Sequence, residues 1–144
     1  PTAFVQGFLW DGSSFTTINF PDAIATIALG IDSTGRIVGA YLDPTTFNFR
    51  GFLLDGGVFT TIDVPGATET FVQGIASPGG IVGQYEDASG AHGFFWPDGV
   101  LAPTTIDPCG SASTFAAANG VSTNGFIVGA CSDGAGTHGF RLKP

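Results

Sequence analysis

Methionine is absent from the 144 residues, and lysine and arginine together number only 4 against 12 aspartates and glutamates. Without a methionine, Pro1 is not expected to be a translational start, so the chain is read as processed or as a stretch of a longer one. The net charge of −8 argues against nucleic acid as a partner, because basic groups are needed to neutralise phosphates. It also disfavours adsorption to an anionic membrane surface. No apolar run approaches the ~18 residues of a membrane helix, so no membrane span is expected. No Asn-x-Ser/Thr sequon occurs, which removes N-glycosylation of that kind. A Gly-x-Ser-x-Gly elbow is missing, and the glycine-rich turns lack the lysine of a phosphate loop. Cysteine occurs twice.

What remains is 43% apolar and 11% charged, with 23 glycines and 14 phenylalanines. That composition folds rather than staying disordered. Poor in straight-chain helix formers and rich in strand formers and turn residues, it reads as all-β with many tight turns.

The chain repeats itself. Gly7-Phe8-Leu9-Trp10 returns as Gly51-Phe52-Leu53-Leu54, as Gly93-Phe94-Phe95-Trp96 and as Gly139-Phe140-Arg141-Leu142. The starts lie 44, 42 and 46 residues apart (51 − 7, 93 − 51, 139 − 93). This is strand A of a single repeat domain over 1–144, with repeats at about 7–50, 51–92 and 93–138 and the first strand of a fourth at 139–144. Asp11-Gly12, Asp55-Gly56 and Asp98-Gly99 follow as candidate type I′ turns. Strand B is Phe15-Thr16-Thr17-Ile18, Phe59-Thr60-Thr61-Ile62 and Pro103-Thr104-Thr105-Ile106, its threonine pairs favouring strand. A longer connection begins at Pro21, Pro65 or Cys109. Strand C then leads to Gly30-Ile31, Gly74-Ile75 and Gly120-Val121. Strand D is Ile37-Val38-Gly39-Ala40-Tyr41, Ile81-Val82-Gly83-Gln84-Tyr85 and Ile127-Val128-Gly129-Ala130-Cys131. Polar loops opened by Asp43, Asp87 and Asp133 return to strand A.

His92-Gly93-Phe94, Asp63-Val64-Pro65-Gly66-Ala67 and Gly35-Arg36-Ile37-Val38-Gly39-Ala40-Tyr41 resemble the bacterial extracellular repeats of the HAF type. The likeness covers nearly the whole chain. It departs where Gln6 and Arg50 stand for His and Cys131 stands for Tyr. It implies an exported repeat β-protein with a propeller-like fold, and no reaction.

Repeats of 40–45 residues with four strands suit propeller blades, that is, tandem four-stranded antiparallel β-meanders. A β-trefoil or β-prism is the alternative. Alternation places Phe8 and Trp10 on one face of strand A and Leu9 on the other, so both faces are apolar and both require cover. The long connection lies between B and C. The expected frame is therefore C-D-A-B, with glycine-rich C innermost and B at the rim, where Pro103 suits an edge. The chain then runs A-B, C-D-A-B, C-D-A-B, C-D-A, leaving strand edges that another chain could extend. Residues 1–6, with Phe4 and Val5, and residues 137–144, with Phe140 and Leu142, are the expected assembly strands. Arg141, in place of Leu9, Leu53 and Phe95, makes one face of the last strand solvated or differently paired.

Candidate chemistry is sparse. His92 and His138 share one repeat position and lack ligand spacing, so they read as strand residues. The loops from Asp87 and Asp133 offer too few oxygens for calcium, which needs six to eight, and read as plain hairpin loops. No metal, cofactor or catalytic residue is expected, and the chain reads as no enzyme. Trp10, Trp96, Tyr41 and Tyr85 suit core positions before a sugar-binding surface. Cys109 and Cys131, 22 positions apart (131 − 109), suit either a disulfide or two buried thiols. The expected function is a secreted, non-enzymatic structural protein that assembles with itself, head to tail, into a ring or extracellular filament. The alternative is a lectin-like module binding carbohydrate or another ligand.

Overall fold

Short runs of Phe, Ile, Val and Thr punctuated by glycine fit a pleated surface better than a helix. In the computed structural model of the chain, which describes residues 4–110 and 113–144, they form thirteen strands and no α-helix among the described residues. Residues 1–3 of the expected N-terminal assembly segment, and Ser111 of the third connection, lie outside the described residues.

The strands are β1 (Gly7–Trp10), β2 (Phe15–Ile18), β3 (Ala25–Ile31), β4 (Ile37–Leu42), β5 (Phe49–Asp55), β6 (Val58–Ile62) and β7 (Glu69–Ala76). They continue as β8 (Gly80–Asp87), β9 (Gly90–Pro97), β10 (Thr104–Ile106), β11 (Phe115–Val121), β12 (Ile127–Asp133) and β13 (Gly136–Leu142). Strands adjacent in sequence pair antiparallel in four groups: β1-β2, β3-β4-β5-β6, β7-β8-β9-β10 and β11-β12-β13. One parallel bridge, Phe115 to Ala91, joins β11 to β9 and makes the last two groups a seven-stranded sheet. Val5 makes the corresponding bridge to Ala25 of β3. No described sheet closes on itself.

The groups stack face to face through three apolar clusters. The first, between β1-β2 and β3–β6, holds Ile18, Ala23, Ile37, Tyr41 and Phe52. The second, between β3–β6 and β7–β10, holds Val38, Val72, Ile75, Ile81 and Phe94. The third, between β7–β10 and β11–β13, holds Val82, Ile106, Ala118 and Ile127. Alternation along the strands sends Ile81 to the second cluster and its neighbour Val82 to the third, so one strand supplies two interfaces.

Glycine allows the groups to approach this closely. A Cβ on Gly30 would lie 3.2 Å from the Gln73 carbonyl oxygen, and one on Gly74 would lie 3.2 Å from that of Asn119. The β3, β7 and β11 backbones therefore pass against one another, group to group. Asn119 strengthens this seam by donating its side-chain amide to Gln73 Oε1 at 2.7 Å. The ladder bulges at the same repeat position each time, at Ala28/Gly30, Val72/Gly74 and Ala118/Gly120.

After strand A, Asp98-Gly99 forms the centre of its turn, closed by the Val100 amide donating to the Pro97 carbonyl oxygen at 3.2 Å, but only Gly99 has a positive φ, so it is not type I′. The other two turns differ from the expected pairs. Asp55 is the last residue of β5, and the two-residue loop is Gly56-Gly57, with φ of 55° and 85°. Two glycines take the positive φ that an aspartate would adopt at a cost. Asp11 instead accepts hydrogen bonds from the Ser13 and Ser14 amides, each at 2.8 Å, an Asx-type turn.

Candidate functional site: the two outward faces

Because the repeats stack, each strand position should meet the same surroundings in every group. The clearest departures lie at the two outward faces, although Ile31 of β3 is also 53% exposed where its counterpart Ile75 is 8% exposed. Phe52 and Phe94 are 0% exposed, yet their repeat counterpart Phe8 is 63% exposed. Trp10 and Phe15 share that open face at 48% and 70% exposure. Phe8 and Phe15 meet edge to face at 5.3 Å between centroids, and Trp10 lies 4.5 Å from Phe15. A short loop joins the two strands of this hairpin, so the three rings form one continuous apolar patch.

The opposite end shows the same contrast. Val38 and Val82 are 0% exposed, whereas Val128 is 47% exposed. Gly120 has no neighbouring backbone within reach of an added Cβ; it meets only its own group's Val128 side chain, at 3.3 Å. On this face Arg141 stands where Leu53 and Phe95 stand in the interior. Its guanidinium lies 4.4 Å from the Phe126 ring centroid, and Lys143 Nζ lies 5.4 Å from the same ring. Cations over an aromatic face are held by the ring quadrupole. Two of the chain's four cationic side chains thus sit on one outward face.

The strand residues expected to mediate assembly are placed differently. Phe140 and Leu142 turn inward and pack on the third cluster. The Phe4 amide donates to the Ile24 carbonyl oxygen, and the Thr26 amide donates to that of Val5, both at 2.9 Å. The backbone at Phe4 and Val5 is therefore already engaged within the chain, although both side chains are exposed. Sequence reasoning missed Val128 and Phe15 as outward residues, since nothing in a uniformly apolar repeat says which copy has no neighbour among the described residues. Arg141 was the available signal.

Cys109 and Cys131 form a disulfide, with Cα atoms 5.9 Å apart. Cys131 replaces Tyr41 and Tyr85, whose hydroxyls share hydrogen bonds with Thr61 Oγ1 at 3.1 Å and Thr105 Oγ1 at 3.0 Å. Where no fourth B strand is described to receive a tyrosine hydroxyl, a covalent bond to the incoming connection takes its place. A cleft of about 300 Å³ lies between Phe95, Thr104, Ile106 and Leu142.

A second, polar constellation surrounds His92. Its Nε2 lies 2.9 Å from Ser89 Oγ, and its Nδ1 lies 3.8 Å from Asp107 Oδ2. The order resembles a Ser-His-Asp arrangement, but the geometry differs from one. Ser89 Oγ donates to Asp87 Oδ1 at 2.6 Å, and 3.8 Å is too long for a hydrogen bond. The histidine is one member of a repeated pair. Arg50 bonds Asp63 at the equivalent position, and Gln6 and Asn19 occupy it in the first repeat. Matching columns of the repeat would have revealed this pairing. His138 faces Asp133 Oδ1 at 3.2 Å.

No protein-family model matches this chain, and no curated protein matches it significantly.

Several of the aspartates shape loops. Burial alone would raise the Asp32 pKa, but hydrogen bonds from Thr34 and Arg36 outweigh it and hold the group at about 2. Hydrogen bonds from the Thr45 and Thr46 amides lower Asp43, and those from the Ser89 hydroxyl and amide lower Asp87. The Ala135 amide, then His138, lowers Asp133. No group of three or more metal-ligating side chains occurs among the described residues. No helix long and apolar enough to cross a membrane is present among them either.

Proposed function

We propose that this chain is an exported, non-enzymatic structural repeat protein that assembles with itself, head to tail, into a ring or filament, its strand groups acting as propeller-like blades. The observation that carries this reading is the like-for-like exposure of repeat positions. Phe8 and Val128 lie open where Phe52, Phe94, Val38 and Val82 are fully buried. The interior junctions are in effect a template for the missing contact. Burying a large apolar side chain contributes on the order of 1.5–3 kcal/mol, so three aromatic rings and a valine supply a driving force that competes with the entropy of association. The two faces differ, one aromatic and one bearing Arg141, so the contact is heterologous and either closes a ring or propagates. The Cys109–Cys131 disulfide favours an oxidising, extracellular setting, as does the resemblance to HAF-type repeats.

The test is sedimentation velocity of the unreduced 144-residue chain over a wide concentration range, with electron microscopy of the same samples. Concentration-dependent growth into regular rings or fibres is expected. A monomer at every concentration overturns the proposal.

A further inference from the structure

Resting on that reading, we infer that the contact between copies is specified by Arg141 and Lys143 of one copy seated on Trp10 and Asp11 of the next. The interior junctions supply the register. Between β3–β6 and β7–β10, Leu53 of strand A packs at the same cluster and cleft as Trp96 of the next group. Between β7–β10 and β11–β13, Phe95 and Leu142 share a cluster and a cleft in the same way. The third residue of one strand A thus meets the fourth residue of the next. Carried one step outward, the third residue is Arg141 and the fourth is Trp10 of the incoming copy. The same step brings Val128 to Phe8, as Val38 and Phe94 share the second cluster.

Charge follows the same register. Arg36, at the start of strand D, reaches across the second junction to Asp98 in the A–B turn of the next group, Nη1 to Oδ1 at 3.7 Å. Phe126 holds that strand-D position in the last group and carries Arg141 and Lys143 above its ring. The corresponding A–B turn acid on the aromatic face is Asp11. Hydrogen bonds from the amides of Ser14 and Ser13 hold its carboxyl far below the usual carboxylate range, so it stays anionic. A guanidinium between the Phe126 ring and the indole of Trp10, with a carboxylate beside it, is a pairing that a chain of net charge −8 forms only where its few cations stand. Copies that met by like faces would oppose Arg141 to Arg141, or Asp11 to Asp11, so the pairing also enforces head-to-tail polarity.

The experiment exchanges the partners. Arg141→Glu places an acid opposite Asp11, and Trp10→Arg places a cation opposite Arg141. Each variant alone is expected to raise the concentration at which assembly begins by about tenfold or more, the scale of losing one cation–π contact and gaining a repulsion. Mixed in equal amounts, the two variants set the introduced carboxylate of one against the introduced guanidinium of the other. Their mixture should return the threshold to within about threefold of the parent chain, since a restored ion pair of this kind is close in worth to the contact it replaces. Near-UV circular dichroism checks the fold of each. Lys143→Glu is an independent variant of the same face and should also raise the threshold, by more at low salt than at high salt because the added repulsion is screened. If the parent chain assembles and neither Arg141→Glu nor Lys143→Glu moves the threshold, or the mixture fails to recover, this pairing is wrong while head-to-tail assembly stands. If the parent chain never assembles, both fall.

Discussion

Phe94 and Phe8 are one residue of one repeat, each following a glycine on strand A and each pointing to the same side of its group. Phe94 is completely buried and Phe8 is mostly exposed. The chain's own chemistry sets which way a strand residue points, because side chains alternate about the pleat. Whether that residue is buried depends on what the next group brings. A repeat protein therefore writes its interfaces into every copy, including copies with no neighbour among the described residues. The contrast between interior junction and outward face is a prediction about energies. An interior residue should matter for folding, while its outward counterpart should matter for association.

The largest effect should come from the phenylalanines themselves. Phe94→Ala is expected to destabilise the fold by about 3–5 kcal/mol, through lost transfer energy and the cavity left behind. Phe8→Ala, at a site already open to water, should cost less than about 1 kcal/mol in the dilute chain. Urea unfolding of both variants, at concentrations too low for assembly, reads the two numbers. Equal costs would mean that the aromatic face is already covered within the chain, and the comparison would break.

The next largest effect sharpens the comparison on strand D. Tyr41 and Tyr85 fasten their groups by a hydroxyl to a B-strand threonine, whereas Cys131 fastens its group by a disulfide to Cys109. Replacing both cysteines with serine should cost about 3 kcal/mol, the loop-closure scale for a 22-residue separation. Tyr85→Phe should cost about 1 kcal/mol, the net worth of one hydrogen bond. Thermal unfolding under otherwise identical conditions compares them. If Tyr85→Phe is the more costly change, the covalent bond is not the stronger anchor.

Much of the architecture was legible in the sequence. Glycine-phenylalanine anchors marked strand A, the Ile-Val-Gly triplet marked strand D, and the long B–C connection separated groups of antiparallel strands that, among the described residues, are bridged to one another only by the parallel contacts Phe115–Ala91 and Val5–Ala25. The C-D-A-B order of strands follows from those lengths alone, since short turns can only join neighbours. Local backbone detail was less accessible. Asp55-Gly56 looked like the turn pair, but the strand runs one residue further and Gly57 completes the turn. The outward faces were the hardest to see. Leu9 and Phe8 are both apolar, and burial is a property of the neighbouring group, which no single strand encodes. Only Arg141 broke the pattern, and it stands on the face that the structure leaves open.

The smallest effect isolates backbone approach from side-chain burial. Gly74 and Gly120 occupy the same bulge in β7 and β11, and neither has a positive φ that would itself require glycine. They differ in what lies beyond them. A methyl on Gly74 would stand 3.2 Å from both the Asn119 carbonyl oxygen and the Gly120 Cα, backbone atoms that move only if the β11 strand moves. A methyl on Gly120 would meet Val128 at 3.3 Å, an exposed side chain that can turn away. Gly74→Ala should therefore cost about 1–2 kcal/mol through overpacking. Gly120→Ala should be neutral or stabilise by up to about 1 kcal/mol, because alanine restricts the unfolded chain more than glycine does. Assembly should tolerate Gly120→Ala as well, since the incoming group of the next copy brings strands A and B and no described strand C to lie over β11. Chemical denaturation of the pair, followed by sedimentation of Gly120→Ala, checks both statements. Loss of assembly with an intact fold would mean that the next copy seats over β11 after all rather than over Arg141.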